Sequence, residues 1–430
     1  MDKRVSKKVS KEISKEVSFE QAEGYVYVEG GICAAGGYQA NGLNCGLNPV
    51  REKNDLALLV SEVPARAAAV YTRNKVKGAP ILVCRDHLEK TGNTVKAVIA
   101  NSKNANTCNA DGVEKAEKMC ALAAKALQIK AEEVLVASTG VIGEILPIEP
   151  VERHIEELAA GLSRSGHLEA AKAIMTTDTV KKEAAVEFEL DGKRCRVGGM
   201  AKGSGMICPN MATTLNFITT DCQIAADMLQ KALSEIVQVT YNCLSIDGDT
   251  STNDMVLVLA NGVSGNEEIT AENEAYRKFR KALYLVMLHL TKMLAKDGEG
   301  ATKLLECSVS GAPDEKTAQA VAKSVISSPL LKCAVFGEDA NWGRVLCAVG
   351  YAKADFEIDK VGVCISSKNG QVEVCREGAG IPFSEEAAKE VLTADEITIL
   401  VDLKQGSAES RAFGCDLTYD YVKINGDYRS

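Results

Sequence analysis

From about residue 25 the hydrophobic positions fall into two rhythms. Short apolar runs at 67–72, 81–84, 97–100 and 134–137 predict strands. Pro80 stands just ahead of the second run, where a missing N–H is tolerated. Over 112–127 the spacing changes. Val113, Ala116, Met119, Cys120 and Ala123 share one face of a predicted helix. Residues 150–162 form a second predicted helix, opened by Pro150. The runs 184–190 and 194–197 read as a hairpin turning at Asp191-Gly192. Beyond Pro209 the alternation resumes with a strand at 215–219, a helix at 225–239, a strand at 255–259 and a long helix at 271–295. Strands at 304–309 and 362–365 follow. Such alternation marks an α/β chain. The first residues differ: Val5, Val9, Ile13 and Val17 recur every fourth position among lysine and glutamate. The Ser and basic content is that of a presequence, but Glu12, Glu16 and Glu20 argue against one. We expect residues 1–22 to be a solvated, poorly ordered extension.

Composition narrows the classes. At 430 residues the chain is long enough for two or three domains, and 46% hydrophobic against 25% charged residues suits a water-soluble core. A net charge of -9 with no concentrated basic face argues against nucleic-acid binding. Aromatic residues are only 5%, too few for a base-stacking platform. The longest apolar runs, such as 282–288, are too short to span a bilayer, so no membrane role is expected. Fifteen cysteines are scattered, odd in number and never spaced C-x-x-C. They read as buried thiols in a reducing cytoplasm, not as a disulfide framework or zinc site. The four histidines share no metal-ligand spacing, and His289 sits in an apolar helical stretch as a packed residue. No metal site is expected.

One segment concentrates chemistry. Residues 198–215, GGMAKGSGMICPNMATTL, carry four glycines that permit positive φ and close approach to a ligand. Lys202 precedes its glycine, the wrong order for a phosphate loop. A small residue, Ala212, precedes Thr213 at the mouth of a predicted strand. A strained turn there can present the threonine hydroxyl to the preceding carbonyl. An N-to-O acyl shift and hydrolysis would free Thr213 as a new N-terminus, whose α-amine, titrating near pH ~8, serves as its own base. A threonine opening a strand is also common, so spacing alone does not decide. Cys208 lies close by but has no partner base near it in sequence.

Eight stretches in order carry a resemblance: NSKNANTCNADG at 101–112, ASTGVIG at 137–143, MTTDT at 175–179, residues 199–215, DGDTSTND at 247–254, KDGEGATK at 296–303, DANWGR at 339–344 and YVKINGDYRS at 421–430. On these the chain from about Gly31 to Ser430 resembles the ornithine acetyltransferase family, glutamate N-acetyltransferases of arginine biosynthesis. The resemblance implies a layered α/β/β/α sandwich with two lobes and a precursor that cuts itself between Ala212 and Thr213. The expected pieces are residues 23–212 and 213–430, which stay together as an α2β2 heterotetramer or larger. Thr213 would be the nucleophile, taking acetyl from N-acetylornithine and passing it to glutamate. Thr139 and Gly140 would stabilise the oxyanion, and Thr176, Lys202, Thr213, Glu299, Asn425 and Ser430 would contact substrate. No cofactor is implied, and acetyl-CoA as a further donor stays open.

Those roles suit the residue types. An α-carboxylate needs a cation or amide donors, which Lys202, Asn425 and Ser430 offer. Glu299 suits the side-chain ammonium of N-acetylornithine. Absent the resemblance, Ser138-Thr139-Gly140 would read as an ordinary turn, Glu299 as a surface carboxylate, and the tail as frayed. Asp247, Asp249 and Asp254 read as turn and capping residues, because a calcium loop's twelfth-position glutamate is missing. The DANWGR stretch reads as structural support. Cys208, Thr214 and Lys103 depart from residues more usual in the family. Two alternatives stand beside this reading: an N-terminal-nucleophile amidohydrolase or aminopeptidase with water as acceptor, and a non-catalytic amino-acid-binding protein that stays intact.

Overall fold

The computed structural model describes residues 14–208 and 214–427. The chain begins with β1 (Val26–Tyr27), β2 (Tyr38–Leu43) and the long β3 (Leu56–Tyr71), then α1 (Ala79–Lys90) and β4 (Thr94–Asn101). Helix α2 (Gly112–Leu127) leads to β5 (Val134–Ser138), α3 (Glu149–Ala160) and α4 (His167–Ala173). The hairpin of β6 (Lys182–Leu190) and β7 (Lys193–Lys202) turns through Asp191 and Gly192, both at positive φ. After it come β8 (Leu215–Thr220), α5 (Ala226–Val239), β9 (Met255–Ala260) and α6 (Glu274–Lys296). The remainder holds β10 (Leu304–Ala312), α7 (Glu315–Ile326), α8 (Pro329–Phe336), α9 (Trp342–Gly350), β11 (Gly362–Ser367), β12 (Gly370–Arg376) and β13 (Ala379–Gly380). Helix α10 (Glu385–Leu392), β14 (Glu396–Asp402), β15 (Ala408–Cys415) and α11 (Tyr419–Gly426) close the described chain.

Two sheets result. The first has nine strands in the order β1-β6-β7-β8-β9-β3-β4-β5, with β2 also paired to β3. The second runs β13-β12-β11-β14-β10-β15. Strand β9, sequence MVLVLA, shows why the first sheet is covered on both faces. Met255, Leu257 and Leu259 enter one core with residues of α1 to α4, while Val256, Val258 and Ala260 enter another with α5 and α6. A strand apolar at every position needs cover on each side. Helix α6 packs against β6 and β7 of the first sheet and against β10 and β15 of the second. The chain is therefore mixed α/β, as expected, but a helix stands between its sheets where the sequence reading stacked sheet upon sheet.

Two expectations are corrected. Residues 81–84 belong to helix α1, not to a strand. Pro80 lies in its first turn, and Ile81, Val83, Cys84, His87 and Leu88 are buried along it. A short apolar run carries no period of its own, so the helical spacing shows only when Leu88 is included. Within the extension expected over residues 1–22, contacts with the rest of the fold begin at Lys15. Lys15 Nζ donates to the carbonyls of Lys296 and Ala301 at 3.1 and 2.9 Å. Val17 is buried, and Phe19 stacks on His289 with ring centroids 4.2 Å apart. Residues 1–13 lie outside the described residues. His289 is packed as expected, and burial beside Lys292 pushes its imidazole down to about 4. The fifteen cysteines are all free, and among the described residues no helix is long and apolar enough to cross a membrane.

Candidate active site

A cavity of about 120 Å³ opens where loops from both halves of the first sheet meet the C-terminal helix. Thr139, Gly140, Thr176, Lys202, Glu299 and Asn425 all line it. These six come from five separate stretches of sequence, and each is a site residue that the sequence resemblance implies. The three remaining candidates, Ala212, Thr213 and Ser430, lie outside the described residues. Thr214, which follows Thr213, lines a smaller adjoining cavity of about 30 Å³ together with Thr139, Lys202 and Asp254.

Strand β5 delivers Ser138 to the wall, and the chain then turns through Thr139 and Gly140. The Thr139 N–H donates to the Asn101 carbonyl at 3.0 Å and the Val141 N–H to Lys103 at 3.0 Å. Of the donors the sequence suggested there, this commits one backbone N–H to the loop. The Thr139 hydroxyl and the Gly140 N–H carry no hydrogen bond among the described residues. Gly140 has φ +133, and a Cβ on it would lie 2.1 Å from the Lys103 carbonyl carbon. Only glycine fits so close an approach. The wall is pinned by Asn253, whose Nδ2 donates to Ser138 O at 3.0 Å and whose Oδ1 accepts from Thr107 Oγ1 at 2.6 Å.

Opposite stands a carboxylate. Glu299 is 7% exposed, its N–H donates to Ser204 O at 2.8 Å, and its Oε2 accepts from Asn425 Nδ2 at 2.7 Å. Gly205 leaves it room: a Cβ there would sit 2.3 Å from Oε2. Helix α11 thus brings Asn425 to the cavity, although Val422 on the same helix is exposed. Lys202 ends β7 and has no carboxylate within salt-bridge distance among the described residues, so it is available to an anionic ligand.

Beneath the cavity lies a buried ionic cluster that sequence reasoning missed. Lys182 Nζ contacts Asp178 Oδ1 at 2.7 Å and Asp297 Oδ2 at 2.6 Å, and all three side chains are fully buried. Burial works against the Asp178 charge, but the Lys182 and Lys202 ammoniums outweigh it and hold the carboxyl well below its usual range. Asp178 also accepts from the N–H of Thr176 at 3.0 Å and of Gly203 at 2.8 Å. Asp297 accepts from the N–H of Thr179 at 3.0 Å. The cluster therefore joins the MTTDT loop, the end of β7 and the Glu299 loop. Two of its members lie inside quoted motifs, yet Lys182 and Asp297 are 115 residues apart and no local pattern links them.

The DGDTSTND stretch divides. Asp247 accepts from the N–H groups of Met206, Ile207 and Asp249, as a turn residue does. Asp254 caps nothing of the kind. Thr214 is 4% exposed, and its hydroxyl accepts from Asn216 Nδ2, which leaves it committed. Asn341 caps α9, and Arg344 donates to Leu330 O, as structural support requires.

The sequence pattern of the ArgJ family matches residues 39–430. The chain belongs to the ArgJ family. It is similar to arginine biosynthesis bifunctional protein ArgJ 1 of Clostridium acetobutylicum, 52% identical over 91% of this chain and 96% of the relative. The Bacillus subtilis arginine biosynthesis bifunctional protein ArgJ is 47% identical over 94% and 98%. Among solved structures, ArgJ from Bacillus halodurans is 44% identical and covers 49% of this chain and 97% of that one, with a TM-score of 0.47. Ornithine acetyltransferase of Mycobacterium tuberculosis in complex with ornithine is 36% identical, covering 44% and 100%, with a TM-score of 0.40.

Within this ArgJ-family site the ionic cluster invites a direct test. Lys182→Met removes the cation shared by two buried carboxylates and leaves Asp297 only the 3.7 Å contact with Lys15 Nζ, which costs about 3–5 kcal/mol. The thermal midpoint should fall clearly, and acetyl transfer should weaken because Thr176 and Gly203 lose their anchor. An unchanged midpoint contradicts the assignment.

Proposed function

We propose that this chain transfers the acetyl group of N-acetylornithine to glutamate, releasing ornithine and forming N-acetylglutamate for arginine biosynthesis. The observation that carries this reading is the convergence of Thr139, Gly140, Thr176, Lys202, Glu299 and Asn425 on one cavity. ArgJ-family membership and relatives named as arginine biosynthesis bifunctional proteins point the same way.

The chain cuts between Ala212 and Thr213, and the two pieces remain associated. The freed α-amine accepts the Thr213 Oγ proton as Oγ attacks the acetamide carbonyl. Oxyanion charge is met by the Thr139 hydroxyl and the Gly140 N–H, the two uncommitted donors of that wall. Ornithine leaves with the proton, and an acetyl-threonine ester remains. The glutamate amine then attacks the ester, and the same donors serve the second tetrahedral intermediate. Substrate α-carboxylate pairs with Lys202, and Glu299, held by Asn425, takes the side-chain ammonium. Thr176 and Ser430 complete the substrate contacts. Acetyl-CoA would load the same hydroxyl, and exchanging it for N-acetylornithine in the assay tests that second donor. The cycle as written needs no metal. The cut chains assemble as an α2β2 unit or larger, and the free cysteines suit a reducing cytoplasm.

Glu299→Ala separates binding from processing. The variant should cut normally, because Glu299 has no part in cleavage. Its turnover of N-acetylornithine should fall by roughly 10–100-fold, the effect of losing a hydrogen bond to a charged group. Glutamate-dependent appearance of ornithine is the readout. Acetate release independent of glutamate would favour a hydrolase instead.

A further inference from the structure

Asp254 is 3% exposed, and its Oδ2 has no hydrogen-bond partner among the described residues. Such an atom is rare in a folded chain, because an unsatisfied buried carboxyl oxygen is costly. Its position is set by the sheet. Strands β8 and β9 are parallel, with Leu215 opposite Met255, and the Met255 N–H donates to Thr214 O at 3.1 Å. The register therefore places Asp254 beside Thr214, the residue that follows Thr213. The same carboxyl lines the 30 Å³ cavity with Thr139, Lys202 and Thr214. Burial drives its proton affinity well above the carboxylate range, offset only in part by the Ser251 hydroxyl and the Lys202 charge. Among the described residues Lys202 is the one charged group whose field reaches it, and Glu299 belongs to the adjoining cavity.

Chain cleavage has a need that acetyl transfer lacks. Before the cut, the nitrogen of Thr213 is an amide and cannot act as a base, and an amide nitrogen leaves only when protonated. We propose that Asp254 is the acid–base residue of chain cleavage, its Oδ2 giving a proton to the Thr213 amide nitrogen as the Thr213 hydroxyl attacks the Ala212 carbonyl. This rests on Thr213 being the nucleophile. In the step the Oγ–C bond forms, the C–N bond breaks, the nitrogen takes the Asp254 proton, and the Oγ proton passes to the carboxylate. Asp254 ends as it began. One water then hydrolyses the ester, its hydroxyl joining the Ala212 carbonyl carbon and its hydrogen returning to Oγ.

The test follows cleavage of the full chain made by cell-free synthesis in buffers of graded pH, with wild type, Asp254→Asn and Thr213→Ala run together. Asn keeps the shape and can donate a hydrogen bond but cannot exchange a proton. We expect Asp254→Asn to cut at least about 100-fold more slowly, with a thermal midpoint close to that of wild type. Wild-type cleavage should slow as pH rises through the Asp254 pKa, because only the protonated acid is active. Residual cleavage of the variant should lose that dependence. Asp254→Asn cutting at the wild-type rate overturns the proposal, as does a flat wild-type profile, which is informative even if the variant fails to fold. A Thr213→Ala chain that still cuts overturns the nucleophile assignment instead, so the two failures are distinguishable.

Discussion

Thr213→Ala is expected to give a single uncut chain of 45.8 kDa with no acetyl exchange. In the proposed cycle one oxygen serves both events: Oγ attacks the Ala212 carbonyl, and once the chain is cut it carries the acetyl group. Removing a covalent nucleophile typically leaves only what binding and oxyanion donors supply. Thr214 cannot take over, because its hydroxyl is buried and accepts from Asn216. Thr213→Ser keeps the hydroxyl and should still cut. Denaturing electrophoresis and an ornithine-release assay check both variants, and an active Thr213→Ala protein contradicts the mechanism.

Gly140→Ala should be nearly as damaging. The new Cβ would lie 2.1 Å from Lys103 C, 2.3 Å from Lys103 O and 2.5 Å from Asn104 N, all backbone atoms. With φ at +133, an alanine is also strained in its own backbone. The loop must move, and it takes with it the two donors proposed to face the developing oxyanion. Loss of one such donor costs about 10²–10³ in kcat. We expect at least the lower figure for Gly140→Ala, expressed in kcat more than in KM. A variant with wild-type kcat would remove Gly140 and Thr139 from the oxyanion role.

Much of this architecture could be read from the residues. Helix α2 shows its period in Ala116, Met119, Cys120 and Ala123, all buried, although Val113 at its start is exposed, and the hairpin of β6 and β7 is announced by Asp191-Gly192. Six candidates fell into one cavity because each sits in a motif whose neighbours already restrict its backbone. What could not be read has physical causes. The run 81–84 is apolar without periodicity, so helix and strand were indistinguishable until the first turn and Leu88 were seen together. Val17 belongs to a polar repeat, and only the tertiary fold shows that it is buried and that Phe19, still half exposed, stacks on His289 of α6. The Lys182 cluster joins charges far apart in sequence, and its three members look individually like surface residues. Asp254 reads as a turn residue in sequence because composition cannot reveal that one oxygen of a carboxyl is sealed away from water. Burial, which decides all of these, is a property of the fold.

The central claim is an acetyl group carried on Thr213. Its most direct test is the intact mass of the denatured protein after mixing with N-acetylornithine alone, then after glutamate is added. The account predicts two chains, the second beginning at Thr213 and heavier by one acetyl group, which glutamate removes as N-acetylglutamate. A single chain, or a second chain that never gains acetyl while ornithine is released, would contradict it.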